Sequence, residues 1–579
     1  MQPSSSSSSS ESGGSKSVKK WGPIVAIVAV IAIIGGIVAS SGGDDADPSS
    51  TEAPGTTDAP VDSGAPKSDT WEYPLSFVDG QEKLTDEAFN KIAWGSRCDV
   101  ELGTIAVPSF FAPACMAPFT GDNGGATAQG VTADEITIVH YQGPDDDPVI
   151  AYVTQAINSD ETNAQSTETL ENYIKYYETY YELYGRKVNL VTYISTGFAT
   201  DEVTARADAQ RIVEQYAPFV VVGGPALTNA FNDELAARKT TCMCGGGTAQ
   251  YLGERDPYLW AIDGSSEQKQ QLLVEYIEKQ LVGKPASHAG DALKGEIRKF
   301  ALTYVEGGSE SKDLADLAVT RMAAIGADLA LVLPYQLDPG TIQASASQII
   351  AKMKAEGVTT VLLSTDPVAP GALTREATAQ EYFPEWVVTA NTLTDTNAFA
   401  RSYDQAQWAH AFGISSLAVK TNPEKIGYAV TYKWFTGQDT PSPDGIGTLI
   451  PNWELLFAGI QDAGPNLTHQ TLGDSFKSFE TKKAITQPYL TWGDRGIWDE
   501  MDYSGIDDVT MFWWDPTATG MDELKKEGTG MMQFVDGGKR YLLGEMPTED
   551  KMFVVDGAIA MYDTAPASET PPAYPSPAG

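Results

Sequence analysis

Short runs of β-branched and aliphatic residues alternate with stretches of helical periodicity from about residue 135 onward. This alternation is typical of βα units that build a parallel sheet covered by helices. It predicts a doubly wound α/β fold, and the number of strands favours two sheet-containing halves with a break near 263–266. The predicted strands are 135–141, 187–194, 219–222, 258–261, 300–304, 329–333, 359–363 and 386–389.

Aromatic residues mark further elements. Tyr173, Tyr177, Tyr180 and Tyr184 fall at i, i+4, i+7 and i+11 and line one face of a helix. Carbohydrate stacking is one interpretation of this stripe, but packing of the helix on the sheet is the simpler one. Near the C-terminus, 508–515 predicts a strand with an aromatic end, and 534–543 predicts a hairpin that turns at 536–538.

The N-terminal end has the order of a membrane anchor. Lys16, Lys19 and Lys20 follow a serine-rich stretch, and residues 21–41 carry no charge. Cations before an apolar stretch predict a transmembrane signal anchor, with residues 1–20 as a cytoplasmic Ser-rich tail and the bulk of the chain extracellular. The alternative is a cleaved signal peptide, which would release a secreted protein. Because no cysteine follows the apolar run closely, a lipid-modified N-terminal cysteine is excluded.

Composition predicts disorder on both sides of the globular part. Residues 42–70 consist mainly of Gly, Asp, Ser, Thr, Ala and Pro without periodicity, which is typical of a disordered acidic linker. Residues 564–579 include five prolines and have no apolar pattern, so they predict a disordered tail.

The charge of the chain excludes one class of partner. The 579 residues include 78 Asp and Glu against 39 Lys and Arg, for a net charge of -39. Binding to DNA or RNA depends on Lys and Arg side chains that displace counterions from phosphates. Nucleic acid is therefore not an expected partner, and an acidic surface of this kind keeps an exported protein soluble.

The four cysteines form two pairs along the chain. Cys98 and Cys115 bracket a short turn-rich segment of an exported chain, which predicts a disulfide that staples an N-terminal extension, 71–127. Cys242 and Cys244 are one residue apart, and a soft metal ion, a disulfide and burial as small residues are all open interpretations. Burial is favoured over metal because no histidine lies nearby in the sequence.

Several short phrases share their order and spacing with one known family. They are GVTADEITIV (130–139), GP (143–144), GRKVNL (185–190), PEW (384–386), AFGIS (411–415) and GIQDAGPNLT (459–468). Over about 90–550 the chain resembles the type I periplasmic binding proteins, the family of the leucine/isoleucine/valine receptors that serve ABC transporters.

This resemblance implies two Rossmann-like lobes joined by three crossovers, which close like a hinge on a small ligand. Lobe 1 would comprise 128–262 and about 395–480, and lobe 2 would comprise 263–394 and about 481–563. Ligands of such sheets lie beyond the carboxyl ends of strands, against helix N-termini. The residues that directly follow each strand are therefore the candidate ligand-binding residues.

After the first strand of lobe 1, Asp145 and Asp146 stand where the family usually has small residues with a hydroxyl group or glycine. Carboxylates at this place favour a ligand with an amino, guanidinium or other cationic group. Asp147, which precedes Pro148, is instead expected to cap its own helix.

After the third strand, Gly224 and Thr228 precede a predicted helix, 230–239. The free amides of that helix and the Thr228 hydroxyl can hold a ligand carboxylate, and capping of the helix by Thr228 or Asn229 is an equal alternative. Where the family's fourth strand would end, at 241–247, Cys244 and Gly245 begin a glycine run that allows close approach of the ligand or of the other lobe.

In lobe 2 the resemblance implies loops that supply an aromatic lid and a carboxylate for the amino end of the ligand. Tyr304 is the aromatic candidate, and Glu306 and Asp366 are the carboxylate candidates. Asn391, with Thr392 beside it, follows a later strand. Asp366 before Pro367 is also an ordinary helix cap, and Tyr335 either reaches the hinge or faces solvent.

The sequence contains no Gly-x-Ser-x-Gly elbow, phosphate-binding P-loop or His-Glu-x-x-His zinc motif, so binding is favoured over catalysis. We expect a solute-binding protein without cofactor or metal that delivers a small polar ligand, such as an amino acid, an amide or a related amine, to an ABC permease. The alternative is a tethered sensing or adhesive ectodomain that uses the same fold without transport. A hydrolase without a recognisable motif is a third, weaker hypothesis.

Overall fold

The computed structural model describes residues 66–225, 227–307, 310–390 and 393–579. The predicted cytoplasmic tail, the predicted anchor at 21–41 and most of the predicted linker lie outside these residues. In the described ranges, no helix combines the length and the apolar character needed to cross a membrane.

The described chain begins with a small extension that packs on lobe 1. Its elements are α1 (Phe77–Lys83), α2 (Asp86–Phe89), β1 (Cys98–Asp99) and β2 (Thr104–Ile105). The predicted disulfide between Cys98 and Cys115 is confirmed, with their Cα atoms 5.5 Å apart. Arg97 Nη2 lies 2.8 Å from Glu182 Oε2 and joins the extension to lobe 1. The extension starts earlier than predicted, because the amide of Ser68 donates to the carbonyl of Lys83.

Lobe 1 is built on a parallel sheet with the strand order β4-β3-β5-β6. Its strands and helices in this part of the chain are β3 (Glu135–Gln142), α3 (Pro148–Ala156), α4 (Asn163–Tyr180), β4 (Lys187–Ile194), α5 (Glu202–Tyr216), β5 (Val220–Val222), α6 (Ala230–Ala237), β6 (Thr241–Met243) and α7 (Ala249–Gly253). The predicted strand at 258–261 is wrong, because this segment makes only isolated bridges, one between Leu259 and Cys242 and one between Ala261 and Ser504.

The alternating side chains of β3 give lobe 1 two packed faces. Ile136 and Ile138 face a core that includes α4, whereas Val139 and Tyr141 face α5 and α6. Tyr173 and Tyr177 of the predicted stripe belong to the first core, and the ring of Tyr177 stacks on Phe457 with centroids 4.2 Å apart. Tyr184 lies beyond the end of α4, so the predicted helical stripe is wrong at this residue. The aromatic helix therefore packs against the body of the lobe.

Lobe 2 contains the larger sheet, in the order β14-β13-β11-β10-β9-β7-β8 with β15 beside β13. Its first part comprises α8 (Ser266–Gln280), β7 (Phe300–Val305), α9 (Ser311–Ala324), β8 (Leu329–Tyr335), α10 (Ile342–Glu356), β9 (Thr360–Ser364), α11 (Ala369–Ala379), β10 (Glu385–Thr389), α12 (Asn397–Ala400), α13 (Gln405–Trp408) and β11 (Ala411–Ser415). Helices α8 and α9 cover one face of the sheet, and α10 and α11 cover the other.

The chain then returns to lobe 1 and later re-enters lobe 2. The returning elements are β12 (Lys420–Thr421), α14 (Tyr428–Thr436), α15 (Ile446–Leu449), α16 (Pro451–Ala463) and α17 (His469–Ser478), followed in lobe 2 by β13 (Val509–Met521), β14 (Glu527–Phe534) and β15 (Arg540–Tyr541), and at the end by β16 (Met561–Tyr562) beside β12. Both lobes have the predicted α/β architecture.

The hairpin predicted at 534–543 is wrong. Strands β14 and β15 do not pair with each other, because both pair with the same edge of β13, as in the pairs Phe512–Phe534 and Thr510–Arg540. The residues 535–538 form a short 3-10 turn between them. The glycines there allow the chain to bend between β14 and β15 along the same edge of β13. The hairpin that the structure contains joins β13 to β14.

The passages between the lobes fall later than the resemblance implied. Strand β11 pairs with β10 in the lobe 2 sheet, so the chain leaves lobe 2 after Ser415 and not near 395. Leu490, Trp492 and Ile506 belong to the lobe 1 core, so the chain re-enters lobe 2 after 506 and not near 481. These segments are loops and bridges without periodicity, which is why the pattern did not locate them.

The first and third passages run side by side. A Cβ atom at Gly264 would lie 2.6 Å from the carbonyl oxygen of Ile506, and one at Gly505 would collide with the carbonyl oxygen of Ile262. Side chains at these positions would separate the two segments, so both glycines are needed for the close approach.

Residues 564–579 differ from the predicted disordered tail, since they lie along lobe 1. The Glu569 carboxylate accepts from the amides of Ile485 and Thr486 at 3.0 and 2.9 Å, and the Tyr574 hydroxyl donates to Asp99 Oδ2 at 2.7 Å. The prolines prevent a regular helix or strand, but the side chains between them still bind the surface.

Glu454 on α16 gives lobe 1 a testable pH dependence. Its side chain is buried among tyrosines of the core, and burial raises the pKa of the carboxyl from 4.5 to about 8, a shift that the Tyr428 hydroxyl partly opposes. Between pH 4.5 and 8 the unfolded chain loses this proton while the folded chain keeps it, so the free energy of unfolding falls as the pH rises.

We expect Glu454→Gln to remove this loss. The free energy of unfolding of the variant relative to the parent should rise by up to about 1.4 kcal/mol per pH unit over this window, measured by calorimetry of the full chain. Glu171→Gln, an exposed position on α4, is the matched control and should show no such slope. A constant difference between Glu454→Gln and the parent across pH would contradict the buried neutral carboxyl.

Candidate functional site

A cavity of about 400 Å³ lies between the two lobes. It opens at the carboxyl ends of β5 and β6 in lobe 1 and of β7 and β9 in lobe 2, where open α/β sheets hold their ligands. Its volume is in the range of small-molecule sites, which is roughly 300 to 1,000 Å³. The position between the lobes and the size both fit a site for a small ligand.

The lobe 1 wall contains several of the predicted residues. Thr228, Cys244 and Gly245 line the cavity. Thr228 is buried, and its hydroxyl oxygen accepts from the amide of Ala230 at 3.1 Å, so it caps its own helix at the edge of the site. Gly224 lies directly behind the wall, where a Cβ atom would be 3.1 Å from the Cβ atom of Cys244.

Cys244 is joined to Cys242 by a disulfide, which decides between the interpretations that the sequence left open. The bond closes a small loop at the end of β6, and the Cα atoms of Cys242 and Cys244 are 5.3 Å apart. Both cysteines are buried. Among the described residues, no group of three or more His, Cys, Asp or Glu side chains has an arrangement that could hold a metal ion.

The lobe 2 wall contains Asp366 and Tyr304. The Asp366 carboxylate accepts from the Tyr335 hydroxyl and from the amides of Val368 and Ala369 at 2.8 and 3.0 Å. It therefore caps α11, and burial raises its pKa although these donors oppose the shift. Tyr335 is buried and positions this carboxylate rather than facing solvent. Burial also raises the pKa of the Tyr304 hydroxyl.

An ion pair forms the base of the cavity next to the first passage between the lobes. Lys269 Nζ contacts the Asp263 carboxylate, and both side chains are buried. Burial raises the pKa of Asp263, and the Lys269 cation opposes this shift. Because Lys269 is neutralised by its partner, it leaves little positive charge for a ligand.

A clasp across the cavity mouth joins the lobes. The Thr248 hydroxyl of lobe 1 donates to Glu310 Oε1 of lobe 2 at 2.6 Å, and the amide of Ala249 donates to Glu267 Oε2 at 2.9 Å. A Cβ atom at Gly247 would lie 2.9 Å from Glu310 Oε2. The glycine run thus permits the close approach of the other lobe that the sequence suggested.

The remaining predicted residues lie elsewhere. Asp145 and Asp146 are exposed and do not line the cavity, and the side-chain amide of Asn163 donates to Asp145 Oδ1 at 2.6 Å. Asp147 caps α3 through the amides of Val149 and Ile150, as expected. Glu306 is exposed outside the cavity wall. Asn391 and Thr392 lie outside the described residues.

Sequence reasoning missed two acidic residues of the site. Glu310 lies four residues after Glu306 in the sequence, and it reaches the cavity because it stands at the N-terminus of α9. Asp263 lies in the break near 263–266 that the sequence predicted as the boundary between the two halves. Asp263 and Lys269 lie six residues apart in the sequence, and this spacing does not by itself predict an ion pair.

The strands, helices and cavity can be compared with known proteins. A family model described as periplasmic binding protein matches residues 150–501. No curated protein matches the chain.

Similar solved structures include three substrate-binding proteins. A fatty acid ABC transporter substrate-binding protein from Thermomonospora curvata is 15% identical, with 74% of this chain and 97% of that chain covered and a TM-score of 0.50. A leucine-, isoleucine-, valine-, threonine- and alanine-binding protein from Brucella ovis is 12% identical (74% and 99% covered, TM-score 0.47). A Rhodopseudomonas palustris solute-binding protein, solved with 3,4-dihydroxybenzoic acid, is also 12% identical (69% and 97% covered, TM-score 0.47).

At 15% identity, the likeness to the Thermomonospora curvata protein shows the fold. The family model covers more than half of the chain. The chain therefore belongs to the periplasmic binding protein family, as a type I member of the leucine/isoleucine/valine-binding-protein kind.

Proposed function

We propose that this chain is an exported solute-binding protein that captures a small ligand between its lobes and hands it to an ABC-type importer. Residues 21–41 anchor it in the cell membrane, and the acidic linker lets the lobes stand clear of the surface. In this role the chain catalyses no reaction and needs no cofactor. The observation that carries the proposal is the cavity of about 400 Å³ between two lobes that are hinged by three passages.

The charges around the cavity favour a ligand with a cationic or hydrogen-bond-donating end. Asp366 and Glu310 face the cavity from lobe 2, and Asp263 lies at its base. Among the described lining residues, Lys269 is the one cation, and it is paired with Asp263. An amino acid, an amide or an amine has the donors that these carboxylates accept.

A thermal-shift screen of the full chain in lipid nanodiscs tests this function. A bound ligand at about 100 times its Kd should stabilise the native state by about 2.7 kcal/mol, which raises Tm by several degrees. Amino acids, amides, amines and short peptides form the panel, and small-angle scattering should detect closure with the same compound. Absence of any shift across the panel, together with unchanged scattering, would contradict a solute-binding role.

The clasp gives a second test. Glu310→Ala removes the acceptor for Thr248 and one carboxylate of the cavity, so the lobes should separate more readily. Because hydrogen bonds to charged groups contribute about 1.5 to 3 kcal/mol, the Kd for the compound found in the screen should weaken by about 10- to 100-fold. The radius of gyration without ligand should increase.

Asp313→Ala is the matched control, since this carboxylate lies exposed in the first turn of the same helix. It should leave both the affinity and the radius of gyration close to the parent values. Equal behaviour of the two variants would show that the clasp does not hold the lobes together.

A further inference from the structure

The cavity between the lobes continues into the interior of lobe 2. Beyond the polar mouth, it runs between α9 and the sheet strands β7 and β9. Its lining there is apolar, with Leu302 and Leu362 on the sheet side and Leu314, Ala318 and Met322 on the helix side. We call this part the α9 arm.

Helix α9 packs incompletely against the sheet. Of its described residues, two are buried, Ala315 and Met322. Helix α10, of similar length on the opposite face, buries Ile342, Ala346, Ile349, Ile350 and Met353. Protein interiors are normally close-packed, so a helix that leaves apolar space beneath it is a departure from ordinary packing.

The α9 arm is elongated. The cavity lining extends along α9 from Ser311 at the interlobe mouth to Met322. At a rise of about 1.5 Å per residue, this distance is about 16 Å. Its width is bounded by α9, by Leu273 and Val274 of α8 and by the sheet, so the space suits an extended chain rather than a globular group.

We propose that the ligand is amphipathic, with a polar end held at the mouth near Glu310 and Asp366 and an alkyl chain that extends into the α9 arm. This inference rests on the proposed function, because it names the class of ligand for the same cavity. Apolar side chains offer a chain the same environment at every step of the arm, so each added methylene that enters it is removed from water.

The experiment titrates two series of short, water-soluble compounds into the full chain in lipid nanodiscs: n-alkylamines and n-alkanoates from two to eight carbons. Titration into empty nanodiscs measures partition into the lipid and is subtracted. In the series whose head group binds, Kd should fall by about fourfold per methylene until the arm is full. Free glycine and acetamide serve as probes without a chain.

Two variants change the arm itself. Ala318→Trp fills part of it and should weaken the binding of the eight-carbon compound by about fourfold per excluded methylene, roughly a hundredfold for three to four methylenes, while the two-carbon compound is unaffected. Met322→Ala lengthens the arm, and in a series extended beyond eight carbons the tightest binding should move to longer chains. Val319→Trp, on the exposed face of the same helix, is the matched control and should behave as the parent.

The outcomes separate this inference from the proposed function. Binding that strengthens with chain length and is lost in Ala318→Trp supports the α9 arm. Binding of amino acids or amides with no dependence on chain length, and with both α9 variants equal to the parent, overturns the inference and leaves the solute-binding role intact. Failure of every compound in both series and in the amino-acid panel overturns the solute-binding role and this inference together.

Discussion

The relative position of the two lobes depends on one buried guanidinium. Arg540 donates to the carbonyl oxygens of Leu417 at 2.9 Å and Ser416 at 3.0 Å, and to Asp508 Oδ1 at 2.7 Å. It thus joins the second and third passages between the lobes, while Gly264 and Gly505 bring the third passage against the first. Removal of one member of a buried ion pair leaves an uncompensated charge, so this clamp is costly to break. The clamp therefore holds the three passages together between the lobes.

This constraint explains why a cavity exists at all. Each lobe has its own sheet, Val153 of α3 and Ile157 directly after it pack with the core of lobe 2, and within the described residues the carboxyl ends of both sheets point at the same gap. The clamp keeps the gap at a fixed hinge, and Thr248 with Glu310 closes it from the opposite side. If the lobes close on a ligand and exclude water, charges in the site interact more strongly than they would in solvent.

The acidity of the chain is distributed over its surface rather than concentrated in the cavity. Of the carboxylates that the sequence placed near a ligand, Asp366 lines the cavity, whereas Asp145, Asp146 and Glu306 are exposed. Seven of the eight strands predicted between 135 and 389 match an observed strand to within two residues, because their periodicity is local, whereas 258–261 is not a strand and β11 was not predicted. The contacts of Glu310, the edge shared by β14 and β15 and the path of 564–579 were not, because each depends on a partner far away in sequence.

In the proposed arrangement, α9 would link ligand binding to the contact between the lobes. Leu302, Leu362 and Met322 are already buried, whereas Leu314 and Ala318 on α9 are partly exposed, so a chain in the arm would make its new dispersion contacts mainly with these two side chains. The free energy of binding would then include packing against the helix. Since Glu310 begins the same helix and makes the clasp to lobe 1, a chain that packs under α9 would also support the contact that closes the mouth. In such an arrangement, the apolar part of the ligand contributes to closure without touching lobe 1, and the polar end determines which ligands enter.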